Sequence, residues 1–540
     1  MATVSWLSLT GWQTFTNLPA LLVLLKLKPA DMDASKRMRC LDGTRTQVLQ
    51  SIKDWVTDSS VDQRIFWLHG PVGSGKSTIS TTIASSFADM GCLGAFLFFN
   101  RDEEERSHPS RVIRTIAYNL GSCDEPQIGA AIAGATNNTD ITLMPLDRQF
   151  AKLVVGPISG FTAITRPIVI VLDALDECGR VKDRKELLEV LADETIKIPS
   201  ALRIILTSRK EADITKAFMD KRHVHVRELE LTTNDNMEDI VIFIRHRMCD
   251  IREKNSDLPL GPDWPGEHII KALASRAAGL FVWASIACLF IEAHAPQERL
   301  DMLLQGDVDA SAQSALDGLY ATALKSLDIV DDPHLASDFL SIMGTIIVAR
   351  NPLSDKAMDS ILCLKRPSRH TIYKLGCVLM TDNNLIRIIH PSFADYLSTR
   401  NRCQSDALYI DRQLHNRLIA IHSLNLLNGF LRRNICNLTL SMERVIATLP
   451  ESICYASMSW IAHVVDMIFI PESFADILEQ FLSDHLLHWM EAMSILNKSK
   501  EVITSLSSLL LWVEVSHVRL CRMNSPDVLT EISEWSFQTT

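Results

Sequence analysis

The sequence predicts an α/β domain with a parallel sheet and flanking helices, followed by a mostly helical region. Three observations support this prediction. Short apolar runs alternate with helical stretches up to about residue 230, and the strand signal nearly disappears beyond that point. A glycine-rich turn near residue 70 joins one of these runs to a helical stretch. The 540 residues are 47% hydrophobic and 22% charged, which is the composition of a globular protein.

The first clear element is a helix between Cys40 and Val56. Its apolar residues recur at steps of three and four and form one face, and Thr44 or Thr46 is a candidate N-cap. The preceding residues 1–39 have no clear period, so we expect a poorly defined tail. Its apolar stretch, Leu18 to Leu25, is too short to span a bilayer and predicts a buried helix end, and we do not expect membrane binding.

Five apolar runs predict the strands of the sheet. They are IFWLHG (65–70), LGAFLFFN (93–100), PIVIVLDALDE (167–177), ALRIILTSR (201–209) and, less strongly, HVHVREL (223–229). Near-continuous runs of this kind are typical of strands that are covered on both faces. Because helical stretches separate them, parallel pairing with crossover helices is expected. Further on, residues 385–398 predict one short strand, a turn and a helix, and nearly everything after residue 405 predicts helix.

Charge and cysteine content limit the class of protein. A net charge of −11 argues against a dedicated nucleic-acid binder, because phosphate contacts need clustered Lys and Arg. The 12 cysteines are scattered and none has C-x-x-C spacing, which argues against a disulfide framework or a zinc site. These features predict a reducing compartment, and we expect the protein in the cytoplasm.

The glycine-rich turn fits the phosphate-binding pattern G-x-x-x-x-G-K-[ST], the P-loop. It reads Gly70, Pro71, Val72, Gly73, Ser74, Gly75, Lys76 and Ser77, with Thr78 following. Glycines let consecutive N–H groups point at phosphates, and the helix that follows adds its positive end. Lys76 would neutralise the β- and γ-phosphates, and the Ser77 hydroxyl would bind Mg²⁺. The motif predicts ATP or ADP with Mg²⁺ and leaves GTP open.

Two other strand ends supply the charged groups that a nucleotide site needs. Asp173 ends the run at 168–172 and is the candidate Mg²⁺ ligand. Asp176 and Glu177 follow it, and one of them would orient or activate the attacking water. Arg209 ends the next run and would contact the γ-phosphate. The alternatives are a solvated acidic turn for the three acids and an ordinary surface position for Arg209.

Taken together, these motifs resemble the NACHT domains of the STAND class of signal-transduction NTPases. The similarity is to the fungal branch with vegetative-incompatibility and NLR-like proteins, whose N-terminal NACHT domain is of the nephrocystin-3 type. It rests on CLDGTRTQVLQSIKDWV, IFWLHGPVGSGKSTIS, VIVLDALDEC and LRIILTSRK, and on AAGLFVWASIACLFIE and IRIIHPSFADYLS further along the chain. The resemblance covers about residues 40–515.

The resemblance implies a domain order and a function. It implies a NACHT P-loop domain over 40–229, a small helical domain over 230–305, a winged-helix-like domain over 306–402 and a helical C-terminal domain over 403–540. It also implies a switch that is closed with ADP, able to self-associate with ATP, and reset by slow hydrolysis. His390 would contact the β-phosphate of ADP as a latch; alternatively it satisfies a loop carbonyl. Other functions left open are a P-loop enzyme with steady turnover and a scaffold that no longer hydrolyses nucleotide.

Overall fold

The protein divides into two compact units, Met1–Leu319 and Tyr320–Thr540. The structure is a computed structural model that describes residues 23–101, 103–123, 126–136, 141–159, 166–305, 311–327, 329, 332–435, 449–468 and 472–515. Residues 18–22 of the first apolar stretch therefore lie outside the described residues. Within the described residues, no helix combines the length and hydropathy that crossing a bilayer requires.

The first unit contains a five-stranded parallel sheet with the strand order β2-β3-β4-β1-β5. The strands are β1 Ile65–His69, β2 Leu93–Phe98, β3 Ile168–Asp173, β4 Leu202–Ser208 and β5 Val224–Glu228. Each lies inside one of the five runs from which strands were predicted. The register aligns the ends of the strands, with His69 opposite Ser208 and Phe98 opposite Asp173. The α/β fold predicted from the sequence is therefore confirmed, and its carboxyl-end edge carries the predicted charged residues.

Helices cover both faces of this sheet. The helices of the first unit are α1 Thr46–Thr57, α2 Lys76–Asp89, α3 Glu104–Ser107, α4 Pro109–Gly121, α5 Pro126–Thr136, α6 Leu146–Phe150, α7 Gly156–Ser159, α8 Lys185–Asp193, α9 Ala212–Phe218, α10 Asn234–Lys254, α11 Glu267–Arg276, α12 Phe281–Ala293 and α13 Pro296–Gln305. A short π-helical turn, Ala151–Val155, links α6 to α7. Helix α14, Ala312–Lys325, crosses from the first unit into the second.

The core has two apolar layers because successive strand residues face opposite sides of the sheet. Trp67 belongs to the layer that includes α4 and α5, and its neighbour Phe66 belongs to the layer with α1 and α2. Leu24 and Leu27, from the segment predicted to be a poorly defined tail, are buried in the first of these layers. The described part of that segment therefore contributes to the core.

The N-cap predicted for α1 is wrong. The residue before the helix is Arg45, which has a left-handed backbone with φ +57° and forms no side-chain cap hydrogen bond. Thr44 instead donates its hydroxyl to the carbonyl of Leu41 at 2.7 Å. Composition favours threonine as a cap, but here the preceding turn places Arg45 at that position.

The second unit is mostly helical. Its helices are α15 Pro333–Val348, α16 Asp355–Leu362, α17 Arg369–Lys374, α18 Pro391–Leu397, α19 Arg412–Phe430, α20 Glu451–Val465, α21 Glu472–Gln480, α22 Leu486–Ile495 and α23 Ser499–Val515, with a π-helical turn at Phe481–His485. Between α17 and α18 lies an antiparallel pair, β6 Leu379–Asp382 and β7 Leu385–Ile388. The predicted strand is β7, and β6 is an additional one. A second apolar core, which includes Trp460 and Trp489, packs α19 to α23 together.

Candidate nucleotide-binding site

The P-loop connects the end of β1 to the start of α2. Gly73 and Gly75 have φ angles of +77° and +93°, a backbone region in which residues with a Cβ are strained. The chain reverses within these residues and delivers Lys76 and Ser77 to the first turn of α2. Ser77 is exposed there, beside the N–H groups that begin the helix. The local geometry is thus suited to binding phosphate.

Lys76 folds back over the loop. Its Nζ donates to the carbonyls of Gly70, at 2.8 Å, and Pro71, at 2.7 Å. Removal from water lowers the pKa of the Lys76 ammonium to about 8, while Asp176 and Asp173 act in the opposite direction. The group is still largely charged at neutral pH. Phosphate oxygens could replace the two carbonyls as acceptors, because an ammonium has three donors and no fixed fork.

Asp173 ends β3 and its carboxylate is buried, with a side chain that is 1% exposed. Its Oδ1 accepts from Ser80 Oγ at 3.0 Å and from Thr207 Oγ1 at 2.6 Å. Its Oδ2 pairs with the Arg37 guanidinium. The Ser77 hydroxyl and this carboxylate are oxygen donors of the kind that Mg²⁺ prefers, so the residues present fit the ion.

Three further predicted residues lie together at the same sheet edge. Asp176 accepts from the Arg209 backbone N–H at 3.0 Å through Oδ1 and pairs with Arg209 Nε at 3.0 Å through Oδ2. Glu177 lies 3.9 Å from Arg209 Nη2 and 3.9 Å from Arg101 Nη2. The structure therefore brings Asp173, Asp176, Glu177 and Arg209 to one edge of the sheet. Their roles with a nucleotide stay predictions.

Arg184 ties the two strand-end loops together. Its side chain is only 2% exposed and donates to the carbonyl of Asp176 at 2.6 Å. It also pairs with Asp213 at 2.7 Å and with Glu211, at the start of α9. The loop after β3 and the segment after β4 are thus connected through one buried guanidinium. Its contacts hold the backbone at Asp176 and the segment that follows Arg209.

Two groups from other elements complete the surroundings of the P-loop. The Val282 N–H, at the start of α12, donates to the carbonyl of Gly73 at 3.1 Å. Arg45 Nη2 donates to the carbonyl of Ser74 at 2.6 Å, and the guanidinium lies 4.5 Å from the centre of the Phe281 ring. The loop is therefore held from outside by the turn before α1 and by the start of α12.

Sequence reasoning missed several of these contacts. Arg45 lies in CLDGTRTQ, one of the segments on which the resemblance rests. Its place in that segment was the one sequence signal for a role near the P-loop. Arg184 lies in a polar stretch, RVKDRKE, that looks like any solvated loop. Arg37 lies in the predicted tail, where no periodicity marks it. Their partners are distant in the chain, so no local pattern reveals them.

His390 lies in the second unit at the start of α18. Its Nδ1 accepts from the Ser392 N–H at 3.3 Å and lies 2.7 Å from Ser392 Oγ, so the imidazole caps the helix. Pro391 occupies the first position of the helix, where the absence of an N–H has no cost. Capping is a structural role of the ring, and the predicted role as an ADP latch stays a prediction.

Comparison with known proteins gives the site a context. Residues 43–209 match the family model described as nephrocystin 3, N-terminal. The chain is also 24% identical over 494 residues to the vegetative incompatibility protein HET-E-1 of Podospora anserina, which covers 83% of this chain. These two matches support a NACHT-type fungal protein. The resemblance stated from the motifs is thereby confirmed. The chain spans about a third of HET-E-1, since the match covers 34% of that protein.

Two solved structures are similar to this chain at low sequence identity. A STAND protein with a tetratricopeptide repeat sensor from Pyrococcus horikoshii matches 93% of this chain and 71% of its own, with a TM-score of 0.38 and 12% identity. Cdc6p from Pyrobaculum aerophilum matches 72% of this chain and 98% of its own, with a TM-score of 0.32 and 12% identity.

Proposed function

We propose that this NACHT-type protein is a nucleotide-operated switch that binds ATP or ADP with Mg²⁺ and hydrolyses ATP slowly. The observation that carries the proposal is one sheet edge. There the P-loop with Lys76 faces the same side as Asp173 and the Asp176–Arg209 pair. This edge offers hydrogen-bond donors for phosphate, a candidate metal ligand and a cation. Phosphoryl transfer requires all three.

The residues of the site would act in distinct ways. The loop N–H groups and Lys76 bind the phosphates, while Ser77 and Asp173 hold Mg²⁺, which would neutralise charge on the transferred phosphoryl group. Arg209 carries five N–H donors and would contact the γ-phosphate, so ATP and ADP would interact with it differently. Thr78, which follows in the first turn of α2, lies next to the phosphate-binding N–H groups.

The energy that such a switch needs is modest. Moving a population from 1:99 to 99:1 takes about 5.5 kcal/mol of differential binding. Charge-assisted hydrogen bonds contribute ~1.5–3 kcal/mol each. Two or three contacts made to the γ-phosphate alone would therefore suffice, and the core would not have to rearrange.

We extend the proposal to biology through the relative HET-E-1. HET-E-1 is a vegetative incompatibility protein, and we propose that this chain serves fungal self/non-self recognition or immunity-like signalling from the cytoplasm. Self-association in the ATP state would be its output. The upstream ligand and the downstream effector are not specified by this site.

The test begins with nucleotide binding. Lys76→Ala should weaken Mg-ATP binding at least tenfold, about 1.4 kcal/mol, measured by calorimetry. Lys185→Ala, which removes an exposed ammonium paired with Glu189 on α8, is the matched control and should bind like wild type. Asp173→Ala should abolish the dependence of binding on Mg²⁺. Unchanged affinity in a folded Lys76→Ala variant would contradict a phosphate-binding role for the loop.

The second part of the test separates a switch from its alternatives. Nucleotide carried by the purified protein is identified, and the oligomeric state is measured in ADP and in ATP by light scattering. A switch should enlarge in ATP and turn over slowly. Fast turnover on a small substrate would instead indicate a metabolic enzyme. Binding without either hydrolysis or a change of assembly would indicate a scaffold.

A further inference from the structure

The segment before α1 passes from the apolar layer on one face of the sheet to the layer on the other face, and it contacts Asp173, the candidate metal ligand. Leu27 is buried in the core, and its carbonyl accepts from Arg114 Nη1 at 2.9 Å. The Ala30 N–H donates to Thr115 Oγ1 at 2.9 Å, and the Cys40 N–H donates to Thr82 Oγ1 at 2.8 Å. The segment is thus fixed on α4 at one end and on α2 at the other. Arg37 lies between these two points.

The Arg37 guanidinium is held in place by three neighbours. It pairs with Asp173 Oδ2, its Nε donates to Thr81 Oγ1 at 3.2 Å, and its centre lies 4.3 Å from that of the Phe98 ring. The Arg37 side chain is 23% exposed, whereas that of Asp173 is 1% exposed. A partly exposed arginine therefore contacts a buried carboxylate. The aromatic ring adds a cation–π contact that favours the charged group at this place.

The acceptor capacity of Asp173 shows what this contact implies. A carboxylate offers about four lone-pair sites on its two oxygens. Ser80 and Thr207 both donate to Oδ1, and Arg37 donates to Oδ2. A metal ion that binds this carboxylate directly would have to use Oδ2, the oxygen that already carries a positive guanidinium. A guanidinium and a divalent cation that share one carboxylate oxygen repel each other.

We propose that Arg37 is a further residue of the metal site. Arg37 competes with Mg²⁺ for Asp173 and so sets how much Mg²⁺ the nucleotide site requires. The inference rests on the proposed function, because it takes Asp173 as the metal ligand. Without bound metal, Arg37 neutralises the buried carboxylate. When Mg²⁺ binds with nucleotide, Arg37 must share Oδ2 or withdraw, which weakens metal binding.

The experiment uses the full chain and a fluorescent ATP analogue at fixed concentration, titrated with MgCl₂. Arg37→Met keeps an apolar stem against Phe98 but removes the charge, and Arg37→Gln serves if the methionine variant does not fold. The Mg²⁺ concentration for half-maximal binding should fall about fivefold or more. Arg37→Lys, which keeps the charge, should stay near wild type. Arg39→Met removes an exposed charge two residues away and should also behave like wild type.

Two further measurements do not depend on activity. Binding of Mn²⁺ to nucleotide-free protein, followed by electron paramagnetic resonance, should tighten in Arg37→Met. In EDTA the same variant should melt at a lower temperature than wild type, because Asp173 loses its buried partner.

The outcomes separate this inference from the proposed function. An unchanged or higher Mg²⁺ requirement in folded Arg37→Met would overturn the inference and leave the nucleotide switch intact, and a higher one would make Arg37 a positioning residue. An equal shift in Arg39→Met would also overturn it, because the effect would then come from net charge. Absence of any Mg²⁺-dependent nucleotide binding in wild type would overturn the proposed function itself.

Discussion

Asp176 and Glu177 are adjacent in the chain, yet their carboxylates have different surroundings. Both oxygens of Asp176 are engaged by Arg209, and its side chain is 4% exposed. Glu177 is 14% exposed, accepts from the Arg101 backbone N–H at 3.5 Å and lies 3.9 Å from the side-chain nitrogens of Arg209 and Arg101. The first carboxylate is therefore suited to holding Arg209. The second has the looser contacts that a group orienting a water molecule would need.

We expect amide substitutions of the two carboxylates to have different effects on ATP affinity and on the rate of ATP cleavage. Glu177→Gln should leave ATP affinity near wild type and slow cleavage tenfold or more, because a general base typically contributes 10²–10⁴ in rate. Asp176→Asn should weaken the placement of Arg209 and so reduce ATP affinity as well as cleavage. Single-turnover cleavage and equilibrium binding, measured on both variants, check this. Wild-type cleavage in Glu177→Gln would remove Glu177 from the reaction.

Individual site residues differ in how far the sequence could predict them. Lys76 and Asp173 could be placed because their positions follow from the chain immediately around them, a loop before a helix and the end of a strand. Arg184 and Arg37 could not. Arg37 meets Asp173 across 136 residues, and that contact depends on how the segment before α1 crosses the sheet.

At the scale of elements, the P-loop and α12 are packed as closely as their atoms allow. A Cβ added to Gly73 would lie 2.0 Å from Val282 Cγ1 and 2.8 Å from Val282 Cβ. The same glycine has a positive φ, so both backbone and packing demand it. Gly43, in the turn before α1, has a φ of +84° but nothing within 4 Å of an added Cβ. Alanine substitutions at the two glycines therefore distinguish the cost of a left-handed backbone from the cost of a steric clash with Val282.

We expect Gly73→Ala to cost more stability than Gly43→Ala. Both carry a left-handed backbone penalty of about 1–2 kcal/mol, and Gly73→Ala adds an overpacking cost of about 1–3 kcal/mol. Val282→Ala in the Gly73→Ala background should recover part of the loss, because it removes the nearest atom but leaves Cβ. Urea unfolding of these three variants and of wild type measures this. Equal losses in the two glycine variants would mean that α12 moves away freely.

Most elements could be predicted because their signal is local. Four strands of the large sheet are short, largely apolar and separated by helices, so each run can be recognised from its own residues. Strand β5 has only two apolar residues, which explains its weaker signal. Strand β6 was missed because only Leu379 of its four residues is buried and the strand pairs solely with β7 among the described residues. A short, half-polar strand has no pattern of its own. It is specified by the adjacent hairpin turn at Asn383 and Asn384, which have φ of +51° and +65°.

A buried polar cluster joins α19 to α20 in the second unit. Asn416 Nδ2 donates to the carbonyl of His463 at 2.8 Å, and its Oδ1 lies 2.7 Å from His463 Nδ1, which therefore carries the proton. His463 Nε2 accepts from the Tyr455 hydroxyl at 2.8 Å. Burial, assisted by the charge of Arg350, holds the pKa of His463 well below its usual value. The cluster is satisfied only while the imidazole is neutral.

This cluster should make the α19–α20 pair sensitive to acid. Since the unfolded chain binds a proton at His463 near pH 6.5 and the folded one does not, the free energy of unfolding falls as pH drops below 6.5. The slope is at most about 1.4 kcal/mol per pH unit from this group. His463→Gln, which offers a donor and an acceptor but does not titrate, should reduce the slope. Hydrogen exchange of α19 and α20 between pH 7.5 and 5.5 measures it, and an unchanged slope would assign the acid sensitivity to other groups.

At the scale of the whole molecule, the candidate nucleotide site lies in the first unit and His390 lies in the second. The resemblance predicts that His390 contacts the β-phosphate of ADP. The imidazole already has a local task, since it caps α18 through the Ser392 N–H. A substitution that removes the ring therefore also removes a cap worth about 0.5–2 kcal/mol. Replacement by alanine alone would confuse the two effects.

Comparison of His390→Asn with His390→Ala separates them. Asparagine is among the best N-caps, so it keeps α18 intact. Its side chain is too short to make the phosphate contact predicted for the imidazole. If His390 latches the ADP state, both variants should release ADP about five- to tenfold faster, the loss of one hydrogen bond, while ATP affinity changes little. Stopped-flow release of a fluorescent ADP analogue gives the rates. Wild-type release in His390→Asn combined with faster release in His390→Ala would assign His390 to capping alone, and the closed state would then depend on other residues.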